Sequence, residues 1–259
     1  MWARCFEGCR HILQPSSRPC EARAACGSCK DRAKESEKRQ ALSLQFGSVQ
    51  VAYETLPDFM GGLLWPSGKL LAEALALRAC GLPEPCGRRV LELGAGVALP
   101  SLVAGHLGAA SIVVTDRAEV VPLISRNLAL NGFPSASCAA QALALDWAEP
   151  ESSKAPPMVD ILLAADVVYY GEQDPLPTAL AALATANHTR IVLAYKERTR
   201  MDREYLEKRI LPLFHISRRK VEYTSARHGS CEIYDGVFAG PLSELPDLCE
   251  NMDDICWLP

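Results

Sequence analysis

Short runs of branched apolar residues alternate with segments of helical periodicity over residues 89–211. The apolar runs predict strands, which we place at Arg89 to Leu93, Ser111 to Thr115, Cys138 to Leu143, Val159 to Ala164 and Arg190 to Ala194. The periodic segments predict helices, which we place at Leu99 to Leu107, Glu119 to Leu130, Leu176 to Ala186 and Asp202 to Leu211. Strands that alternate with helices form a parallel sheet covered on both faces. The sequence therefore predicts a doubly wound α/β domain.

Further elements flank this core. Alternating apolar residues in LSLQFGSVQVAYE predict a lead-in hairpin from about Leu42. The segment WPSGKLLAEALALRACG predicts a helix that begins near Pro66 and ends by Gly81. After Leu211 two strand-like runs follow without a helix between them. They predict an antiparallel terminal hairpin that completes a mostly parallel, seven-stranded, Rossmann-like sheet.

The two ends of the chain differ from this domain. Residues 1–40 are rich in cysteine and arginine and end in the charged run KDRAKESEKRQ, which predicts a poorly ordered or partly helical extension. We expect one domain over residues 41–240 and a tail over residues 241–259. Cys26 and Cys29 leave half of a zinc site as an alternative, but no second pair at finger spacing completes it, so we predict no metal. A mitochondrial presequence is a second alternative, which Glu7 and Glu21 oppose.

Composition bears on location and on partners. A net charge of −4 gives no overall electrostatic reason for binding nucleic acid or membranes. The start has no apolar signal-peptide region, so we expect the 11 cysteines to be reduced, in the cytoplasm or alternatively the nucleus. The stretch from Leu93 to Thr115 is long enough to span a membrane, but Pro100 and its glycines divide it into core elements. We expect a monomer that does not enter membranes.

The strongest local signal is VLELGAGVALPSL, a strand followed by a Gly-x-Gly turn and a helix. Open α/β sheets bind ligands at the carboxyl ends of their strands. Gly94 and Gly96 allow the backbone to turn tightly and to approach a ligand closely. A dinucleotide fingerprint needs a glycine where Leu99 stands, which disfavours NAD. An ordinary glycine-rich turn without a ligand is the alternative.

Two acidic residues indicate which nucleotide-like ligand fits this turn. Glu92 would repel a pyrophosphate at the helix N-terminus, whereas a cationic sulfonium cofactor removes that conflict. Asp116 ends the next predicted strand, about 20 residues after the turn, where an acid accepts hydrogen bonds from ribose hydroxyls. The pattern therefore favours S-adenosylmethionine.

Several segments stand in the order found in the family-16 seven-strand methyltransferases: LLWPSGKLLAEAL, VLELGAGVALPSLVAGHLGA, IVVTD, SRNLALNG with Asn127 and Asn131, Trp147, and ILLAADVVYY. The resemblance covers roughly Phe46 to Ala239. Within the family the chain looks most like the protein-lysine methyltransferases, because ADVVYY and AYKERT resemble segments of these enzymes. The resemblance implies a class I methyltransferase that uses S-adenosylmethionine. It implies a lysine side chain of a non-histone protein as substrate, such as a chaperone or an ATPase.

The resemblance also implies which residues bind the cofactor. Trp65 flanks the methionine side, Asp116 holds the ribose and Trp147 lies along the adenine. The turn of Gly94, Ala95 and Gly96 lies beneath the cofactor, with Glu92 before it, and Ala165 lines the site. Simple core packing is the alternative for both tryptophans. The chain departs from the family in having Val97 and Ala98 where a Thr-Gly pair is frequent, and Pro66 where an aspartate is frequent.

The family's D-x-x-Y signature matches Asp166 to Tyr169. Methyl transfer to an amine needs a neutral, aligned nitrogen, so we predict that Asp166 orients the lysine amine and that Tyr169 forms an aromatic wall. The alternatives are a turn cap for Asp166 and packing for Tyr169. Residues Tyr195 to Arg198 follow the fifth predicted strand, and they either contact substrate or form a solvated charge run.

Other functions of the same fold remain alternatives. Base methyltransferases commonly carry an Asn-Pro-Pro-aromatic or Asp-Pro-Pro-aromatic run where this chain has ADVVYY, so nucleic acid is disfavoured. Methylation of arginine or of histones would need paired acids near the site, where only Asp166 is evident, although Glu172 and Asp174 are close in sequence. A small-molecule methyltransferase shares the cofactor features. A catalytically silent cofactor-binding module is opposed by the intact turn, Asp116 and D-x-x-Y.

Overall fold

The structure is a computed structural model that describes residues 40–78, 81–152, 158–169, 175–216, 223–225 and 229–241. The predictions for the amino-terminal extension, including the zinc alternative at Cys26 and Cys29, lie outside the described residues. The same holds for the tail beyond residue 241, and for Glu172 and Asp174.

The described strands are β1 (Gln40–Phe46), β2 (Val49–Thr55), β3 (Arg89–Leu93), β4 (Ser111–Asp116), β5 (Ala139–Ala144), β6 (Ile161–Ala165), β7 (Arg190–Tyr195), β8 (Phe214–Ile216), β9 (Tyr223–Ser225) and β10 (Gly229–Phe238). The described α-helices are α1 (Pro66–Ala76), α2 (Leu99–His106), α3 (Val121–Leu130), α4 (Leu176–Leu183) and α5 (Arg200–Tyr205). Among them, no helix is long and apolar enough to span a membrane.

Strands β3 to β10 form an eight-stranded sheet in the order β5-β4-β3-β6-β7-β10-β8, with β9 paired to the start of β10. Neighbouring strands from β5 to β7 are parallel, and β10 is antiparallel to both β7 and β8. This confirms the doubly wound α/β fold and its antiparallel terminal strands, to which the short β9 is an addition. Strands β1 and β2 form the expected hairpin as a separate sheet.

The strand order reverses between β3 and β6, because the chain runs outward from β3 to β5 and then returns to β6 on the other side. Leu93 at the end of β3 pairs with Ala164 near the end of β6. Ligands of open α/β sheets bind outside the carboxyl ends of the strands at such a reversal. The glycine turn after β3 and Asp166 after β6 therefore share one edge of the sheet.

The central strands are buried on both faces, as parallel strands between two helix layers must be. Val90 of β3 belongs to one cluster of buried apolar residues, and Leu91 and Leu93 belong to a second cluster. Neighbouring β6 alternates in the same way, with Leu163 in the first cluster and Leu162 in the second. Helices thus cover both faces, and the carboxyl edge holds the polar side chains.

All five described α-helices differ from the prediction at one end or both: α2 ends at His106, α3 begins at Val121 and α4 ends at Leu183. Helix α1 ends at Ala76, earlier than the predicted end near Gly81. Helix α5 begins with a capping box between Thr199 and Asp202, and the chain then continues as a π-turn and a 3-10 turn up to Leu213. In regular α-geometry the ring of Pro212 would clash with the carbonyl four residues earlier, at Lys208, which opposes the predicted α-helix up to Leu211.

Asn127 and Asn131 of α3 attach the lead-in hairpin to the domain. The Asn127 amide accepts the Glu54 N–H at 2.7 Å and donates to the Glu54 carbonyl at 3.2 Å. Asn131 binds Ala52 in the same two-way manner, at 3.1 and 2.6 Å. The two asparagines are four residues apart in the helix, and their partners are two residues apart in the strand; both separations are roughly 6–7 Å. The two side chains can therefore bind both partners along the edge of β2 that does not pair with β1. A third bond, from Asn127 to the Val97 carbonyl at 3.0 Å, reaches the segment that follows the glycine turn.

Candidate active site

The glycine turn after β3 is tightly enclosed. Gly94 and Gly96 have φ of +60° and +54°, a conformation that side chains rarely adopt. A Cβ atom on Gly94 would lie 2.9 Å from Val167 and 3.1 Å from the Trp147 ring. A Cβ atom on Gly96 would lie 3.3 Å from the Gly61 carbonyl oxygen. At both positions the left-handed backbone and the close neighbouring atoms disfavour any residue with a Cβ atom.

Ala98, one of the departures from the family pattern, also has a left-handed backbone, with φ +65°. Glycine would adopt this conformation freely, whereas alanine carries a penalty of about 1 kcal/mol. Ala98 occupies the N-cap of α2 but has no side chain that could cap it. The carboxyl of Glu92 serves instead, because its Oε2 accepts the Ser101 N–H at 2.9 Å.

Glu92 is 1% exposed, and this burial raises the pKa of its carboxyl from 4.5 to about 8. The negative charge of Asp116 raises the Glu92 pKa further, in the same direction. A positively charged ligand close to Glu92 would have the opposite effect and stabilise its ionised form.

Glu92 should make the stability of the fold depend on pH. When folding raises the pKa of a carboxyl, the associated stability is fully present below the unfolded pKa and is lost as pH rises through the folded pKa. We expect the free energy of unfolding to fall between about pH 4.5 and pH 8 by an amount on the order of a few kcal/mol. Glu92→Gln cannot ionise, so its unfolding free energy should lose this dependence.

Urea unfolding without cofactor at pH 5, 7 and 9 would measure the effect. The control is Glu84→Gln, whose side chain is 62% exposed and whose unfolding free energy should follow the wild type at each pH. Parallel curves for Glu92→Gln and the wild type would contradict the assignment.

Asp116 at the end of β4 shapes the glycine turn from the other side. Its Oδ2 accepts the Gly96 N–H at 2.8 Å, and its Oδ1 accepts the Arg117 N–H at 2.7 Å. Burial raises the pKa of the Asp116 carboxyl. Each carboxylate oxygen has a further lone pair, so hydroxyl donors of a ligand can still bind here. Ala95 completes the turn, because its N–H donates to the Thr115 carbonyl at 3.1 Å.

The two predicted tryptophans lie at this edge of the sheet and are half-buried. Trp147 packs across Gly94. Trp65 precedes α1 and donates its indole N–H to the Met60 carbonyl at 3.2 Å. The loop before Trp65 contains Gly62, where a Cβ atom would lie 2.5 Å from the Cβ of Leu56. The sequence offered the Gly-Gly pair at 61–62 as a signal, but its role in bringing this loop against the glycine turn was missed.

Asp166 follows β6 and the half-buried Ala165, with an unusual φ of +62°. Its N–H donates to the Ala194 carbonyl of β7 at 3.0 Å, and its side chain is 3% exposed. Oδ2 accepts from Arg198 at 2.7 Å, whereas Oδ1 is buried without a hydrogen-bond partner in the described part of the chain. These contacts differ from those of a turn cap, because the carboxylate binds a side chain from another strand end.

Arg198 brings Trp65 and Asp166 together. Its guanidinium carbon lies 5.3 Å from the centre of the Trp65 ring, within the range of a cation–π contact. Of the residues left undecided by the sequence, Arg198 thus belongs to the site, whereas Tyr195 is buried in the core at 1% exposure. Tyr169, three residues after Asp166, is 55% exposed and therefore does not serve as core packing. Within the described ranges, no group of three potential metal ligands is present.

Residues 48–210 match a family model described as lysine methyltransferase. The chain belongs to this family. Among relatives, this lysine methyltransferase is 32% identical to the yeast protein-lysine N-methyltransferase EFM6 over 171 residues, which cover 57% of this chain and 68% of that protein. It is 30% identical to the mouse protein N-lysine methyltransferase METTL21A over 161 residues, or 61% of this chain and 71% of that protein.

The fold of this lysine methyltransferase resembles the solved structure of a 16S rRNA methyltransferase from T. thermophilus, with a TM-score of 0.53 and 20% identity. The match covers 77% of this chain and 50% of that one, and it shows the common fold. The predicted enzyme class, its protein-lysine activity and S-adenosylmethionine as methyl donor are confirmed by the family.

Proposed function

We propose that this enzyme methylates a lysine of a non-histone protein and that Asp166 receives the substrate amine. The observation that carries the proposal is the buried, unpartnered Oδ1 of Asp166, on a carboxylate beside the glycine turn. Val167, the next residue, lies close to this turn, because a Cβ atom on Gly94 would lie 2.9 Å from its side chain. An amine N–H is the kind of donor that such an acceptor requires.

The residues around the turn fit S-adenosylmethionine. Its sulfonium and ammonium charges suit the carboxyls of Glu92 and Asp116, and the left-handed glycines let the backbone of the turn approach a ligand closely. When bound, this cofactor supplies an electrophilic methyl group on a positively charged sulfur. Gly94 to Gly96 and Asp116 would hold it, with Trp65 and Trp147 against its two ends and Ala165 lining the site.

Asp166 is proposed to align the amine. Its buried Oδ1 accepts one N–H, which orients the nitrogen and leaves the lone pair free to attack. Burial at this edge disfavours the charged ammonium, so the amine reacts in its neutral form. Tyr169 would lie along the lysine stem, and its ring face would favour the cationic product.

The charge of the site favours lysine over arginine. The carboxylate of Asp166 is already neutralised by Arg198 at 2.7 Å. A lysine amine can lose its proton and enter such a neutral site, whereas an arginine guanidinium stays charged and would meet a second guanidinium.

We further propose a cytoplasmic location, with the nucleus as the alternative, a monomeric enzyme, and a chaperone or an ATPase as the protein partner. Purified enzyme would be incubated with radiolabelled S-adenosylmethionine and cytosolic or nuclear extract, and the labelled residue would be mapped by mass spectrometry. We expect label on a lysine of a cytosolic protein. Label on arginine, on histones or on RNA would contradict the proposal, and gel filtration would test the monomer.

A further inference from the structure

Arg198 lies between the interior of the site and its surface. The Arg198 side chain is 35% exposed, whereas the Asp166 side chain that it binds is 3% exposed. Its Nη2 donates to Oδ2 of Asp166 at 2.7 Å, and its guanidinium carbon lies 5.3 Å from the Trp65 ring centre. One side chain thus holds both a carboxylate after β6 and an aromatic ring before α1.

The two neighbours of Arg198 in the sequence are both fixed. Glu197 binds the guanidinium of Arg203 at 2.9 and 2.8 Å. Thr199 forms the capping box of α5 with Asp202, through bonds of 2.9 and 3.1 Å. Side-chain bonds on both sides of Arg198 therefore hold residues 197–199 in place. The interpretation of these residues as a solvated charge run does not hold.

Arg203 anchors this support to the sheet. It donates to Glu232 of β10 at 2.6 Å and to the Tyr234 hydroxyl at 2.9 Å. Its guanidinium carbon also lies 5.0 Å from the centre of the Tyr195 ring at the end of β7. The position of Arg198 is thus set by contacts that reach two strands.

The bond from Arg198 divides the two oxygens of Asp166 into different roles. Oδ2 accepts a hydrogen bond from the exposed guanidinium of Arg198. Oδ1 is buried and accepts no hydrogen bond from the part of the chain that the structure describes. A carboxylate held by one charge-assisted bond cannot rotate freely, so Oδ1 keeps a fixed direction. A fixed acceptor is what alignment of an amine nucleophile requires.

We propose that Arg198 is a positioning residue for methyl transfer: it holds Asp166 so that Oδ1 accepts the substrate amine, and its charge balances that of the carboxylate. This inference rests on the proposed function, in which Asp166 receives a lysine amine. Arg198 acts through Asp166 and is not itself assigned a contact with the reacting atoms.

The test compares Arg198→Ala, Arg198→Lys and the control Arg200→Ala, whose side chain is 91% exposed and binds Glu204 outside the site. The substrate is the lysine-bearing protein mapped by the labelling experiment. We expect Arg198→Ala to lower kcat about tenfold, with KM and the cofactor dissociation constant from calorimetry unchanged. Arg198→Lys keeps the charge and should recover part of kcat, and Arg200→Ala should match the wild type.

Chemical rescue separates positioning from a purely structural role. Methylguanidinium added to Arg198→Ala should restore part of kcat, because it can bind Asp166 where the side chain was removed. The same compound should have no effect on Asp166→Asn. Thermal unfolding of each variant shows whether the fold is intact, and Arg198→Lys carries the test if the alanine variant does not fold.

Several outcomes would overturn the inference: an unchanged kcat in Arg198→Ala, a kcat that rises because Arg198 blocks substrate entry, or a loss that no guanidinium compound restores. These outcomes differ from failure of the proposed function. If the wild type labels no lysine, the proposed function is wrong, whereas an active wild type with an insensitive Arg198 refutes only the positioning role.

Discussion

Replacing Asp166 by asparagine is expected to lower the single-turnover rate of lysine methylation about 100-fold, on the scale of losing a preorganised electrostatic contact. Asparagine has nearly the same shape and tolerates the left-handed backbone, so the φ of +62° should persist. It removes the negative charge. Its NH2 group also replaces one of the two carboxylate oxygens that accept hydrogen bonds from Arg198 and from the substrate amine. Cofactor affinity should change little, because Asp166 is assigned to the substrate.

The matched control is Asp160→Asn. Asp160 precedes the same strand at its opposite end and binds Arg89 at 2.7 Å, so it is also an aspartate paired with an arginine. Its replacement should lower the stability but not the turnover of the folded enzyme. Single-turnover rate and cofactor affinity would be measured on the same preparation. Near-normal turnover of Asp166→Asn would reduce Asp166 to a structural residue.

Replacing Gly96 by valine should weaken cofactor binding by about 100-fold or more, which corresponds to ~2.7 kcal/mol. The branched side chain would enter the space in which the backbone is proposed to approach the cofactor, and its Cβ atom would already lie 3.3 Å from the Gly61 carbonyl. The positive φ adds strain to the folded state.

The control variant is Gly87→Val, which introduces similar backbone strain but no steric conflict. Gly87 has φ of +70°, but a Cβ atom there meets nothing within 4 Å. Calorimetry with S-adenosylmethionine should give normal affinity for Gly87→Val and strongly weakened affinity for Gly96→Val. Equal affinities for both folded variants would place the cofactor elsewhere.

Local patterns predicted the sheet well. The bounds of β3 match the prediction at both ends, because a branched apolar run between arginine and a glycine turn permits little else. Helix ends were predicted less well, since α1 ends before the glycine expected to stop it and the chain after α5 leaves regular α-geometry. Such ends depend on tertiary packing and on single prolines, which periodicity does not report.

The sequence predicted those residues of the candidate site that lie within one continuous motif. Gly94, Gly96 and Asp116 belong to one continuous strand–turn–helix–strand pattern, and the structure brings them together. Arg198 binds Asp166 across 32 residues, and Asn127 binds Glu54 across 73. No local spacing encodes such contacts, because they depend on which strands become neighbours. The cofactor role of Glu92 stays a prediction, beside its observed bond to Ser101.

The amide of Asn127 links the lead-in hairpin to the glycine turn. It binds Glu54 of the hairpin and the Val97 carbonyl with the same side chain. A local opening that detaches the hairpin removes one of the two partners that fix the orientation of this amide, and so it also weakens the bond beside the turn. Any ligand that binds the native turn therefore also stabilises the attached hairpin. Strands β1 and β2 thereby contribute to the free energy of ligand binding, although none of their residues is assigned a contact with the ligand.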